Sequence, residues 1–162
     1  MITGELKNIA EGLIDVFNQA GQESIDLRVK GLKVKIKEDK SPVSNGDLKV
    51  NDLITNKIKE LTPNIPIISE ETVDIKKENK EKIFWLIDPI DGTKEYIAGR
   101  DHYTLNAALI INQTPSIGLV GAPRMNRLFY SYGYSNSYEL FQNKEIKLIN
   151  NKKLNKEQIK AV

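Results

Sequence analysis

A chain of 162 residues, 40% hydrophobic and 28% charged, is sized and composed for one globular domain. Its net charge of +2 is too small to argue for nucleic acid as a partner, and no run approaches the roughly 20 apolar residues of a membrane span. The N-terminal stretch, with Glu5 and Glu11 in it, is not a signal peptide, so a cytoplasmic location is expected; with no cysteine and a single histidine, any metal has to be held by oxygen.

Leu6, Ile9, Ala10, Leu13, Ile14, Phe17 and Ala20 recur at helical spacing and predict an amphipathic helix with Thr3 as its cap and Gly21 as its stop. Leu32, Val34 and Ile36 alternate with Lys33, Lys35 and Lys37, the period of a half-buried strand with a lysine face. A solvated edge that discourages strand pairing explains those lysines more simply than phosphate binding does. Ser41-Pro42 and Asn45-Gly46 are turn formers. Val50, Leu53, Ile54, Ile58 and Leu61 then predict a helix with Asp47 in its first turn, where a carboxylate complements the helix dipole. Pro63 and Pro66 break that helix, and Ile67-Ile68 forms a short strand that ends in Ser69-Glu70-Glu71. Successive strand residues point to opposite faces, so only one of Glu70 and Glu71 is expected to face a shared site. Lys76 to Lys82 reads as a solvated loop or helix turn.

The stretch from Phe84 to Thr93 stands out. Ile83 to Ile87 is continuously apolar, which suits a strand buried on both faces, and Asp88 marks its end. Pro89 has no N–H to donate, so the ladder is expected to stop there. From a tight turn on an edge strand, Asp88 and Asp91 can then converge on one cation, with the Ile90 carbonyl as a third oxygen. Hard oxygen ligands of this kind suit Mg²⁺. Gly92 permits a close backbone approach, and Gly92, Thr93 and Lys94 open a short helix whose free N–H groups face an anion.

That helix is expected to end at Gly99, before an apolar strand over Thr104–Ile111 and a turn at Asn112–Pro115. Ile117 to Val120, Leu128 to Tyr132, Tyr138 to Phe141 and Ile146 to Ile149 then read as an antiparallel meander, with Ala122–Arg127 as one tight link. Tyr130, Tyr132, Tyr134 and Tyr138 are read as cross-strand packing. Helices layered on a mostly antiparallel sheet give an α+β fold.

Trp85-Leu86-Ile87-Asp88-Pro89-Ile90-Asp91-Gly92-Thr93 resembles the signature of the inositol monophosphatase-like, lithium-sensitive, Mg²⁺-dependent phosphatases. Lys94-Glu95-Tyr96 narrows the resemblance to the CysQ branch, the 3'(2'),5'-bisphosphate nucleotidases. Lys37 to Asp47 is similar to the family's Asp-x-Ser-Pro-Val-Thr-x-x-Asp segment, and Glu70-Glu71 to its Glu-Glu pair. The departure is His102, which stands where the family commonly has an acidic residue; a lone histidine is given no catalytic role.

The resemblance implies two or three Mg²⁺ sites and inhibition by lithium. It makes Glu70, Asp88, the Ile90 carbonyl and Asp91 the metal ligands, and Glu70, Thr93 and Asp47 the groups that orient and deprotonate the attacking water. Gly92, Thr93 and Lys94 become the phosphate-binding residues. The implied substrate is a small phosphorylated nucleotide, with an inositol phosphate or another small metabolite as the alternative. Family members continue into a second α/β domain that supplies another aspartate in a Trp-Asp segment. The one tryptophan here, Trp85, is already used, so residues 1–162 are expected to be the N-terminal metal-binding domain of a two-domain enzyme. The missing C-terminal domain or a homodimer would cover an apolar face, and the chain alone would be inactive or dependent on a partner.

Overall fold

The computed structural model describes residues 1–72, 81–142 and 144–149. Most of the predicted Lys76–Lys82 loop therefore lies outside the described residues. Two consecutive helices open the chain, α1 (Thr3–Gly12) and α2 (Ile14–Lys30). The single predicted helix is thus interrupted at Leu13 and then runs past Gly21 to Gly31, whose φ of 98° supplies the left-handed stop. Gly21 serves packing instead: a Cβ there would stand 3.2 Å from the Pro123 ring, so its absence lets the two segments close. The cap position belongs to Ile2 rather than Thr3, and Glu5 Oε2 accepts from the Ile2 amide at 2.9 Å.

β1 (Val34–Ile36) and β2 (Pro42–Ser44) form a separate antiparallel ribbon. Val34 and Ile36 are exposed rather than half-buried, because the ribbon meets the core through Leu32 and the buried Val43 and Ser44. α3 (Asn45–Leu61) starts directly after β2. Asn45-Gly46 is helical rather than a turn, since Ser44 Oγ accepts from the Gly46 and Asp47 amides and caps the helix there.

The main sheet has seven strands in sequence order: β3 (Ile67–Ser69), β4 (Ile83–Asp91), β5 (Thr104–Ile111), β6 (Thr114–Ala122), β7 (Arg127–Tyr132), β8 (Ser137–Phe141) and β9 (Lys144–Lys147). Among the described strands of this sheet, only β3 and β4 pair in parallel; every other pair is antiparallel. The expected α+β layering is what the chain adopts. α1, α2 and α3 all cover one face, where Leu13, Phe17, Val50, Ile54 and Ile58 pack on Trp85, Ile87, Leu109, Ile117 and Leu119. Trp85 Nε1 also donates to Thr62 Oγ1 at 3.0 Å, which pins β4 to the end of α3.

With the described helices on one face, β4 is not buried on both. Trp85 and Ile87 are 0% and 1% exposed while Leu86 between them is 48% exposed. Leu86, Ala108, Gly118 and Val120 lie on the open face of the sheet. The β5–β6 link is shorter than predicted: Asn112 and Gln113 make it alone, both at positive φ, 48° and 63°, and Thr114-Pro115 already belong to β6. A 3₁₀ turn at Pro123–Met125 forms the predicted tight link before β7. Tyr130, Tyr132 and Tyr138 stack across β7 and β8 as expected, but Tyr134 is 95% exposed in the connecting turn. No helix among the described residues is long and apolar enough to cross a membrane.

Candidate metal and phosphate site

β4 neither stops at Asp88 nor lies on an edge, since β3 flanks it on one side and β5 on the other. Asp88 pairs with Asn106 and Asp91 with Thr104, so β4 carries one more residue than β5 over this interval. That extra residue makes a β-bulge. A bulge, not a tight turn, separates the two aspartates, and it is where a strand tolerates a proline such as Pro89. Gly92 follows at φ 90°, and a Cβ on it would stand 3.0 Å from the His102 carbonyl. Both constraints call for glycine. α4 (Thr93–Ile97) then opens as predicted, with Lys94 exposed on it.

Asp47 lies in the first turn of α3, as predicted. It is 1% exposed, and its Oδ2 accepts from the Ser44 amide at 2.8 Å and the Ser44 hydroxyl at 2.6 Å. Its Oδ1 lies 3.0 Å from Thr93 Oγ1, which stands the same distance from the Ile90 carbonyl. One hydroxyl proton serves one acceptor at a time. The Thr93 hydroxyl therefore donates either to Asp47 or to the Ile90 carbonyl. The cap itself was legible, because Ser44-Asn45-Gly46-Asp47 fits the Ser-x-x-Asp form of a capping box.

The Glu70 amide donates to the Ile87 carbonyl at 3.0 Å, continuing the parallel ladder by one residue and bringing Glu70 alongside Asp88. Glu70 and Glu71 lie just past β3, where strand alternation no longer applies. Both reach Lys37, whose Nζ stands 2.8 Å from Glu71 Oε1 and 3.4 Å from Glu70 Oε1. Burial works against the Lys37 charge, but the hydrogen bond and charge of Glu71, reinforced by Glu70, outweigh it and raise the pKa. Burial pushes the Glu71 carboxyl up, with the Lys37 hydrogen bond opposing it.

Asp88 is the most strained of these groups. Burial, then the charge and hydrogen bond of Glu70, then the charges of Asp91 and Asp47, push its carboxyl up to about 7. Among the described residues, its Oδ1 is buried with no hydrogen-bond partner. A buried, unpartnered carboxylate oxygen facing other carboxylates lacks a positive charge. The charges that bear on Asp88 come from Glu70, Asp91 and Asp47, and oxygen donors of this chemistry suit a hard cation. Among the described residues, however, no group of three or more Asp, Glu or His side chains is gathered closely enough to hold an ion. Glu70 is engaged with Lys37, and Asp91 is exposed beyond the bulge.

The inositol monophosphatase family model matches residues 5–160. Two curated relatives are both 3'(2'),5'-bisphosphate nucleotidase CysQ. The protein from Aggregatibacter actinomycetemcomitans is 30% identical over 87% of this chain and 53% of its own length. That from Haemophilus influenzae is 34% identical over 70% of this chain and 43% of its own. Among solved structures, CysQ from Bacteroides thetaiotaomicron matches with a TM-score of 0.67 at 26% identity, covering 94% of this chain and 55% of that one. An IMPase from Thermotoga maritima matches with a TM-score of 0.68 at 25% identity, covering 85% and 52%. The chain spans about half the length of the curated relatives it matches. With nearly every residue inside the family match, the chain belongs to the inositol monophosphatase family.

Proposed function

We propose that this chain carries the metal- and phosphate-binding residues of a Mg²⁺-dependent phosphomonoesterase acting on nucleotide 3'(2'),5'-bisphosphates. 3'-Phosphoadenosine 5'-phosphate would give AMP and phosphate. The observation that carries the metal reading is the buried, unpartnered Asp88 Oδ1 among carboxylates. The nucleotide substrate is supported by the names of the relatives and by Lys94-Glu95 after the Asp-Gly-Thr sequence.

Glu70, Asp88 and the Ile90 carbonyl would hold one Mg²⁺, and Asp88 and Asp91 would share a second. When bound, the cations would supply Lewis-acid stabilisation of the attacking and leaving oxygens. The Ile90 carbonyl has a second lone pair to offer beside the one facing Thr93. Thr93 takes up a proton from the attacking water as its own hydroxyl proton passes to Asp47 Oδ1, the oxygen that Ser44 leaves free. Glu70 orients the same water from the β3 side. The Gly92 and Thr93 amides hold the phosphate, with Lys94 beside them, and no covalent intermediate is needed.

Because the chain spans about half the length of its relatives, turnover is assigned to the whole protein. The 162 residues alone are expected to bind Mg²⁺ weakly with little or no turnover. Isothermal titration with Mg²⁺ tests the binding, and phosphate release from 3'-phosphoadenosine 5'-phosphate and inositol 1-phosphate, side by side, tests the substrate. Preference for the inositol phosphate would overturn the nucleotide assignment. Robust bisphosphate hydrolysis by the 162 residues would overturn the expectation of little or no turnover. No Mg²⁺ binding at all would overturn the metal reading.

A further inference from the structure

Thr93 and Asp47 sit on different helices, so their hydrogen bond depends on how α4 is seated against the first turn of α3. One turn along α4 from Thr93, Tyr96 faces the same way. Its ring lies where a side chain on Gly46, the neighbour of Asp47, would be. A Cβ at Gly46 would stand 2.4 Å from Tyr96 Oη and 2.6 Å from Cε1. Glycine at that position is a notch for the ring, one residue from the catalytic carboxylate.

The far side of the phenol is clamped by α2. Tyr96 Oη donates to the Ser24 carbonyl at 2.6 Å, and both residues are fully buried. Ser24 Oγ gives its proton to the Gly21 carbonyl at 2.7 Å, so the Tyr103 hydroxyl, 2.9 Å away, donates to Ser24. The Tyr103 and Tyr96 rings lie 4.8 Å apart, and the Arg28 guanidinium stands over both while donating to the Arg100 carbonyl at 2.7 Å. Tyr103 also backs Gly92, whose Cβ would come within 3.5 Å of it.

We propose that Tyr96, hung from Ser24 and seated in the Gly46 notch, is a positioning residue that fixes the Thr93 hydroxyl on Asp47. Core packing alone would be served as well by phenylalanine. The phenol proton bonded to Ser24 is the part packing does not explain, and burial raises the Tyr96 pKa well above its ordinary value, so the donor persists at every working pH. The link to turnover rests on the phosphatase reading; the seating of α4 does not.

The test compares the full chain with Tyr96→Phe and Gly46→Ala by hydrogen exchange, Mg²⁺ titration, and steady-state kinetics on 3'-phosphoadenosine 5'-phosphate. Tyr96→Phe should speed exchange of the α4 amides about tenfold while leaving Mg²⁺ affinity within about twofold. Where turnover is measurable, kcat should fall about tenfold at unchanged KM. Gly46→Ala should loosen α4 in the Tyr96 background and add nothing to Tyr96→Ala, where the notch has no ring to hold. Unchanged α4 exchange in Tyr96→Phe overturns the proposal, as does a loss spread evenly over the whole protein. A chain that shows the α4 loosening but binds no Mg²⁺ supports the seating and overturns the phosphatase reading instead.

Discussion

Replacing Asp88 with asparagine separates the site from the fold, because the change keeps the shape and removes the charge. In the metal-free protein the folded carboxyl titrates at about 7 against 3.8 for the free group. The folded pKa is raised, so Asp88 contributes its stability in full below pH 3.8 and loses it as pH rises through about 7, above which the ionised group opposes folding. The whole shift corresponds to about 4 kcal/mol, and partial solvent contact reduces that to about 2–3 kcal/mol. Asparagine carries no charge at any pH. Urea denaturation in EDTA should therefore show Asp88→Asn gaining about 2–3 kcal/mol on the wild type between pH 4 and pH 8.5, with unchanged m-values. Adding Mg²⁺ at ten times its dissociation constant should return about 1.4 kcal/mol to the wild type and little to the variant. A variant destabilised equally at both pH values, or one that keeps the full Mg²⁺ response, would show that Asp88 is not the repelled, metal-seeking carboxylate.

Lys37→Met should destabilise the chain by about 2 kcal/mol by leaving a buried carboxylate without its cation, since the Glu71 side chain is only 4% exposed. The same variant should bind Mg²⁺ several-fold more tightly in a calorimetric titration, because Glu70 is no longer shared. Ser44→Ala removes the α3 cap and one of the Asp47 donors and should cost about 1–2 kcal/mol by chemical denaturation. Leu86 and Val120, 48% and 41% exposed on the open sheet face, predict concentration-dependent self-association of the chain in sedimentation, relieved by Leu86→Lys. A monodisperse monomer at high concentration would count against that last expectation.

The sequence disclosed most where a local rule and the tertiary structure agree. The β5 strand and the short helix after Gly92 form where apolar period and turn residues put them, and the meander from β6 to β9 has the predicted order, although β6 starts at Thr114 and β9 spans Lys144–Lys147 rather than Ile146–Ile149. It misled where packing overrode a local signal. Gly21 reads as a helix stop but is a packing gap for Pro123, and Asn112-Gln113 makes a two-residue hairpin without the glycine that usually announces one. Pro89 reads as the end of a strand, yet the strand continues because the bulge opposite Leu105 absorbs the lost hydrogen bond. The site was legible as a set of residue types, through oxygen ligands gathered at the end of an apolar strand and the resemblance of residues 85–93 to a family signature. What spacing does not carry is partnership. That Glu70 and Glu71 share Lys37, that Thr93 sits on Asp47 and that Tyr96 fills a notch at Gly46 are contacts between elements more than 30 residues apart.

The convergence of those distant segments follows from one feature of the topology. Among the described strands β3 and β4 are the only parallel pair, so their carboxyl ends lie at the same end, with Glu70 leaving β3 beside Asp88 in β4. α3 immediately precedes β3 and runs back along the sheet, so its last turn reaches Trp85 through Thr62 while its first turn, with Asp47, returns to the Asp88 end. The bulge then turns β4 into Gly92 and α4, which delivers Thr93 to the same place. The charges of Glu70 and Asp47 oppose ionisation of Asp88, as its raised pKa shows, and the three carboxylates are tolerated because each is anchored by backbone already committed elsewhere. Glu70 is anchored by the parallel ladder, Asp47 by the helix cap and Asp88 by pairing with Asn106. A sheet in which β3 and β4 were antiparallel would put Glu70 at the opposite end from Asp88, and the same residues would form an ordinary acidic surface.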